Sequence, residues 1–323
     1  MVKKPNFKLL AKGNDITAKI KSNLISLNYE DKEGSESDEI SFVVNGIYAK
    51  PIFGDQLELW LGYGDNLFHC GKFSVQTTTR DYKANTTEVR ATAVNFASPG
   101  KIAKRRSWEN TSLFSIASKI ANENKLSIKT STNDQPIAST LQNDISDLDF
   151  LYGLCFEYGF LMKVANNTIV ITNKDAKGDE SQTSNTPKNE NLPSFDIALI
   201  DCESLSVTEA NRNSYSAVIV QWHDLKDGKD KQTKIGNGEQ TYKLTIPEPK
   251  SDNEAFKKGE AKLNELQRGG INGSLTATGR DLRAGGKLKI TGIAGLENNE
   301  FSIKSVSHNL STTSYMINVE FEG

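Results

Sequence analysis

The hydrophobic period of this chain changes twice along its length, and that constrains its fold more than any single motif. Over residues 1–97 apolar and polar side chains alternate. Leu57, Leu59 and Leu61 are separated by Glu58 and Trp60, and Phe73-Ser-Val75 runs into the Thr-rich stretch 76–79. A period of two with a β-branched bias marks half-buried strands. Gly54-Asp55, residues 62–65 and residues 83–85 supply turns, and the alternating run 88–94 closes the segment. Several short strands so spaced predict a small barrel or sandwich.

From residue 110 the period becomes helical. Leu113, Ile116, Ala117, Ile120 and Ala121 fall on one stripe, with Asn110 or Thr111 able to cap the start. A second helix is expected from Ser146, where Ser146-Asp-Leu-Asp149 has capping-box spacing. Leu148, Leu151, Tyr152 and Cys155 share its face, and Gly159 fits the position after its C-cap. Residues 160–165 and 168–173 flank Asn166-Asn167, a two-residue turn suited to positive φ and hence to a hairpin.

Residues 174–193 carry almost no apolar side chains and cannot offset their ordering entropy, so they read as a linker. Beyond it β-character returns at 204–209, 215–223 and 240–246. A third helix is expected after the capping box Ser251-Asp-Asn-Glu254, with Ala255, Gly259, Leu263 and Leu266 on one face and Gly269-Gly270 at its end. Strands at 273–278, 287–291, 301–308 and 315–321 complete the chain. The fold class expected is mainly β with an α+β insert. A first β-barrel occupies 1–100, a helix-loop-helix-hairpin insert 101–175 and a polar linker 176–193. A second β-barrel region fills 194–323, with a helix near 251–268.

At 323 residues there is room for two or three domains. Hydrophobic residues make up only 36%, which suits small β-domains with much surface per unit of core. A formal net charge of −2 removes the basic field that nucleic-acid binding would need. Cys70, Cys155 and Cys202 form no CxxC pair and cannot all pair internally, which argues against a disulfide framework or a cysteine zinc cluster and for a reducing site of synthesis. The N-terminal apolar cluster is too short for a secretory signal, and no run of 18 apolar residues exists to span a membrane. A soluble protein without an export signal is expected.

Candidate chemistry is sparse. His69 and Cys70 are adjacent, so a strand points them to opposite faces and they could not readily share a metal. His223 and His308 follow strand residues, lack a nearby acid or nucleophile at motif spacing, and read as surface or strand-end residues. No GxSxG, HExxH, P-loop or GxGxxG is present. Two carboxylates about 5–10 Å apart would suffice for a glycosidase, but nothing raises one pair above the background of 41 acidic residues. Asp144, Asp147 and Asp149 cluster where a helix N-terminus favours negative charge. No catalytic residue, cofactor site or metal site is assigned. The sharpest charge feature is Lys101-Ile-Ala-Lys104-Arg105-Arg106-Ser107-Trp108. It could contact nucleic acid or an acidic partner surface with Trp108 stacking, or form a solvated connection between the barrel and the first helix with Trp108 anchored in the core. The net charge favours a structural or subunit-contact role, so Arg105, Arg106 and Trp108 are the candidate contact or domain-junction residues.

The order of these features resembles the late control gene D family of phage tail proteins. The resemblance rests on Lys104-Arg-Arg-Ser-Trp108, the helix through Leu113 and 116–120, Gln142-Asn-Asp-Ile-Ser-Asp-Leu-Asp-Phe-Leu151, and Tyr158-Gly159 with its hairpin. It continues in Gly273-Ser-Leu-Thr-Ala-Thr-Gly279, Leu282-Arg-Ala-Gly285, Leu288-Lys-Ile290 with Gly292, Phe301-Ser-Ile303, Val306-Ser-His308 and Tyr315. Ile145, where an acid is common, and Asn110-Thr-Ser, where Gly-Thr-Leu is usual, depart from the pattern.

The resemblance implies a structural baseplate hub of a contractile tail, related to the hub portion of type VI secretion spike proteins. Such a hub is a trimer in which each subunit gives two tube-like β-barrels, so that six barrels cap the hexameric tail tube while the other face meets the threefold spike. Its implied partners are its own copies, the spike and the tail tube, with the tape measure and baseplate wedge beyond. Its implied place is the virion tail baseplate, assembled in the host cytoplasm. A tail-associated peptidoglycan hydrolase is the competing class, and length argues against it, since two barrels and an insert consume the chain. The hub of a non-phage contractile injection system predicts the same fold.

Overall fold

The computed structural model describes residues 4–93, 102–174, 192–209, 215–268, 270–297 and 299–323. The expected linker lies outside them apart from residues 192 and 193, as do Lys101 and Gly269. The first region runs β1 (Pro5–Ala11), β2 (Asn14–Asp15), α1 (Thr17–Lys21), β3 (Leu24–Lys32), β4 (Glu39–Asn45), β5 (Gln56–Tyr63), β6 (Asn66–Asp81) and β7 (Thr86–Thr92). The alternation seen in sequence is the alternation in space: Leu57, Leu59 and Leu61 face the core while Glu58 and Trp60 are half-buried on the other side.

The insert holds β8 (Ala103–Ser112), α2 (Leu113–Glu123), β9 (Ser127–Thr130), β10 (Pro136–Ser146), α3 (Asp147–Glu157), β11 (Phe160–Ala165) and β12 (Thr168–Asn173). Ser146 caps α3 by accepting the Asp149 N–H, and Gly159 at φ 72° turns the chain into β11. Asn166 and Asn167 take φ 51° and 58°, the geometry of a tight hairpin turn. The basic run is not a solvated connection. Residues 103–112 pair with β10 in an antiparallel ribbon, which also moves the α2 cap from Asn110 or Thr111 to Ser112, whose side chain accepts the Ser115 N–H. Ribbon pairing keeps Asn110 and Thr111 in the strand.

The C-terminal region contains β13 (Ser194–Ala198), β14 (Cys202–Glu209), β15 (Ala217–Asp224), β16 (Lys229–Gly236), β17 (Thr241–Thr245), α4 (Asp252–Arg268), β18 (Ile271–Thr278), β19 (Lys287–Thr291), β20 (Glu300–Leu310) and β21 (Tyr315–Glu322). It is not one β-unit with a helix attached. β16, β15 and β17 form their own small sheet, and α4 covers it over Val218, Val220, Ile235, Ala255 and Leu263.

The two β-rich regions are joined rather than separate. One hydrogen-bonded path runs β14-β18-β21-β20-β3-β4-β7-β6-β5-β1-β2, with β19 and β13 branching from β20. The seam is β20 itself. Its first residues, 300–302, pair with β19; past an irregularity between Ile303 and Ser305, residues 305–310 pair with β3, from Ser305↔Lys32 to Leu310↔Leu27. A single apolar core spans both halves, including Leu27, Tyr29, Phe73, Phe301 and Phe321. Neither half buries its own faces alone.

Candidate functional site

The sequence-predicted contact residues divide by side-chain direction along β8. Lys104, Arg106 and Trp108 face the insert's helices, and Arg105 between them is exposed. Trp108 is buried, with its ring stacked on Phe150 at 6.2 Å and 5°, and the Arg106 guanidinium lies 4.5 Å above it. Asp147, fully buried at the first turn of α3, is the anion this face serves. It pairs with Lys104 at 2.6 Å and Arg106 at 2.7 Å, and accepts from Gln142 at 3.1 Å and Asn124 at 3.1 Å. Burial alone would raise its carboxyl, yet these partners hold it below the usual range. Glu123 completes the network on the same two cations. Arg106 and Trp108 thus tie the ribbon to α2 and α3 inside the insert.

A second polar cluster seats the insert on the large sheet, and sequence reasoning missed it. Lys163, on β11, pairs with both Asp31 of β3 and Asp38 of the β3–β4 connection. Lys174, just past β12, pairs with Glu33 at 2.5 Å and Glu322 at 3.4 Å, and Asn166 at the hairpin turn accepts the Lys72 N–H at 3.1 Å. The insert also meets the small sheet's helix, where the Tyr158 hydroxyl donates to buried Glu254 at 2.6 Å. A groove of about 870 Å³ opens where these parts meet, lined among others by Lys32, Glu36, Tyr152, Phe156, Glu265 and Arg268. Lys163 lies 125 or more residues from Asp38 and Asp31 in sequence, so no local pattern announces the cluster. Asp31 and Asp38 are buried and do not line this groove.

The sequence's histidines are likewise structural. His308 is fully buried at the seam, opposite Tyr29 in the β3–β20 register. It stacks on that ring at 5.2 Å and 18°, and its Nδ1 lies 2.7 Å from the Tyr315 hydroxyl. The His308 and Tyr315 pair of the sequence pattern therefore closes the join between the halves. His69 pairs with Glu58 and packs on Trp60, and His223 pairs with Asp230 on the surface. Among the described residues no group of three or more His, Cys, Asp and Glu side chains is arranged to hold a metal ion, and no helix is long and apolar enough to cross a membrane.

The surface also displays apolar side chains. The strap of residues 46–55 between β4 and β5 exposes Ile47, Ile52 and Phe53, with Lys50 lying 4.1 Å above the Phe53 ring. Ile200, 93% exposed, sits at the turn before β14, whose outer edge carries no partner strand among the described residues. Unpaired edges and clustered exposed apolar side chains are features that other chains cover.

The architecture is that of tail proteins. A tail protein from Neisseria meningitidis MC58 shares the fold at TM-score 0.71 and 11% identity, over 99% of this chain and 97% of that one. The prophage MuSo2 43 kDa tail protein from Shewanella oneidensis does so at 0.66 and 12% identity, over 98% of each. An E. coli component of the type VI secretion system, itself described as structurally similar to T4 tail proteins, matches at 0.56 and 12% identity, over 93% of this chain and 73% of that one. The chain belongs to the phage tail baseplate hub (GPD) family, whose sequence model matches residues 65–314. The probable baseplate hub proteins of Escherichia phages 186 and P2 are each 24% identical to it, over 98% of this chain and 92% and 93% of theirs.

Proposed function

We propose that this hub is a trimeric, non-enzymatic adaptor of the tail baseplate, binding the tail tube on one face and the spike on the other. The observation that carries the reading is the seam. One chain holds two β-rich halves side by side, welded through β3 and β20, and a trimer of such chains would carry six β-units around its axis. Each half is then one tube-like barrel, completed by neighbours that cover its open edges. Threefold symmetry of chains becomes sixfold symmetry of β-units, which is what an adaptor between a hexameric tube and a threefold spike requires. Arg105, exposed beside the inward-facing Arg106, is a subunit or baseplate contact in this scheme. The same reading places the protein in the virion tail baseplate, assembled in the host cytoplasm with tape measure and wedge proteins nearby.

Mass photometry of the protein with its spike is expected to give three copies. A strictly monomeric species in assembled tails would defeat the proposal. Purified cell walls incubated with the protein should keep their turbidity; clearing would restore the hydrolase reading.

A further inference from the structure

At the junction between insert and sheet, two carboxylates share one ammonium in a nearly closed space. Asp31 and Asp38 are 1% and 4% exposed. Lys163 Nζ stands 3.1 Å from Asp38 Oδ1 and in direct contact with Asp31 Oδ1. Asp38 Oδ1 also accepts the Lys32 N–H at 3.0 Å, and Asp31 Oδ2 accepts the Ala284 N–H at 3.3 Å. With all three groups ionised, the cluster holds one uncompensated negative charge. Burying such a charge is costly, and taking up a proton is the cheapest way to remove it.

The surroundings do not cancel that charge. From β3 comes Tyr29 and from α3 Tyr152, both with hydroxyls kept neutral, chiefly by burial. Cys70 of β6 is likewise held as a thiol by burial. Arg283, in the segment before β19, is already engaged with Asp281 at 2.6 Å and donates to the His69 carbonyl at 2.7 Å. The Lys32 side chain turns away to Glu36, and Lys174 is taken by Glu33 and Glu322.

We propose that Asp31, Asp38 and Lys163 form a proton-operated latch that seats the insert on the large sheet, tight when the carboxylate pair holds one proton and loosened when both are ionised. Lys163 belongs to the insert and both carboxylates to the sheet side, so this is the place where protonation changes how two parts of the chain are held. The proton resides on Asp38, whose carboxyl is pushed up to about 7 by burial first and by the Asp31 charge second, against the pull of Lys163. Lys163 keeps its own proton throughout: burial opposes its charge, but the two carboxylates together raise it.

Asp38 therefore titrates higher in the folded chain than in the unfolded one, at about 3.9. Its stabilising contribution is complete below the unfolded value and is lost as pH rises through neutrality. This is opposite in sign to an ordinary ion-paired carboxylate. The latch stands whether or not the hub reading holds, because it concerns contacts within one chain.

The test is hydrogen exchange on the full chain at pH 6 and pH 8.5, corrected for intrinsic rates. The expected result is about tenfold faster opening of β11 and the β3–β4 connection at the higher pH, the ratio set by a proton lost near neutrality. Asp38→Asn, which mimics the protonated state, should remove that difference while leaving the segments protected. Equal opening at both pH values in the wild type, or an unchanged ratio in the variant, would overturn the latch. Should the variant fold poorly, infrared titration of the wild type decides: a protonated-carboxyl band disappearing around neutral pH supports it, and its absence refutes it.

Discussion

His308 carries its chemistry in what it cannot do. Its imidazole is fully buried between Tyr29, Phe68 and Tyr315, and burial, with Arg283 nearby, pushes it down to about 3. The unfolded chain binds a proton there below about 6.5 and the folded chain does not. Stability from this residue is thus complete above that value and declines as pH falls toward 3, by about 3 kcal/mol at pH 4. Urea unfolding across pH 7 to 4 should show the decline, and His308→Gln should flatten it while retaining a polar group able to pair with the Tyr315 hydroxyl. An identical slope in wild type and variant would show that His308 does not govern it. The sequence reading of His308 as a surface or strand-end residue is corrected by its complete burial, and the stacking was out of its reach because Tyr29 lies 279 residues away across the seam. The same limit hid Asp31, Asp38 and Lys163, whereas Ser146, Gly159 and the Asn166-Asn167 turn were legible because their partners lie within a few residues.

At the scale of elements, legibility followed pattern length and polarity. The helices α2, α3 and α4 announced themselves by sustained 3.6-residue stripes, α3 and α4 also by their capping residues, and Ala255, Gly259 and Leu263 are buried on α4. Strands β8 and β16 were misread or missed because Lys-Arg-Arg and Lys-Asp-Lys-Gln look like solvated connections. Their pairing with β10 and β15 comes from distant partners rather than from their own residues. Gly259 makes the packing of α4 testable. Helix propensity favours alanine over glycine by about 1 kcal/mol. A Cβ there, however, would stand 2.6 Å from both Val220 and Ile235, in a layer already closed. Overpacking of that kind costs about 1–3 kcal/mol, so Gly259→Ala should lower stability despite its better propensity. Denaturant midpoints measure the sign directly, and a stabilised variant would mean that the small sheet moves freely under the helix.

At the scale of the whole molecule, two β-rich regions around an α/β insert were legible, but their fusion into one sheet was not. The period-two pattern tells which face of a strand is buried and is silent about which strand lies beside it. The β3–β20 seam makes the halves share a core, which leaves the surfaces outside that core to be tested as assembly contacts. The strap between β4 and β5 is one such surface, with Ile52 and Phe53 at 68% and 57% exposure. If it is an assembly contact of the trimeric hub, replacing Ile52 and Phe53 together by aspartate should leave monomer stability within about 0.5 kcal/mol per site, as for exposed positions generally. The same change should abolish trimer formation or incorporation into tails, because paired charges would have to be desolvated in the joint. Unfolding midpoints and mass photometry on one preparation separate the two effects. Loss of stability would make the strap a structural cover held by Thr87, whose hydroxyl donates to the Gly46 carbonyl and accepts the Tyr48 N–H, and normal trimers that still enter tails would free it of any part in assembly.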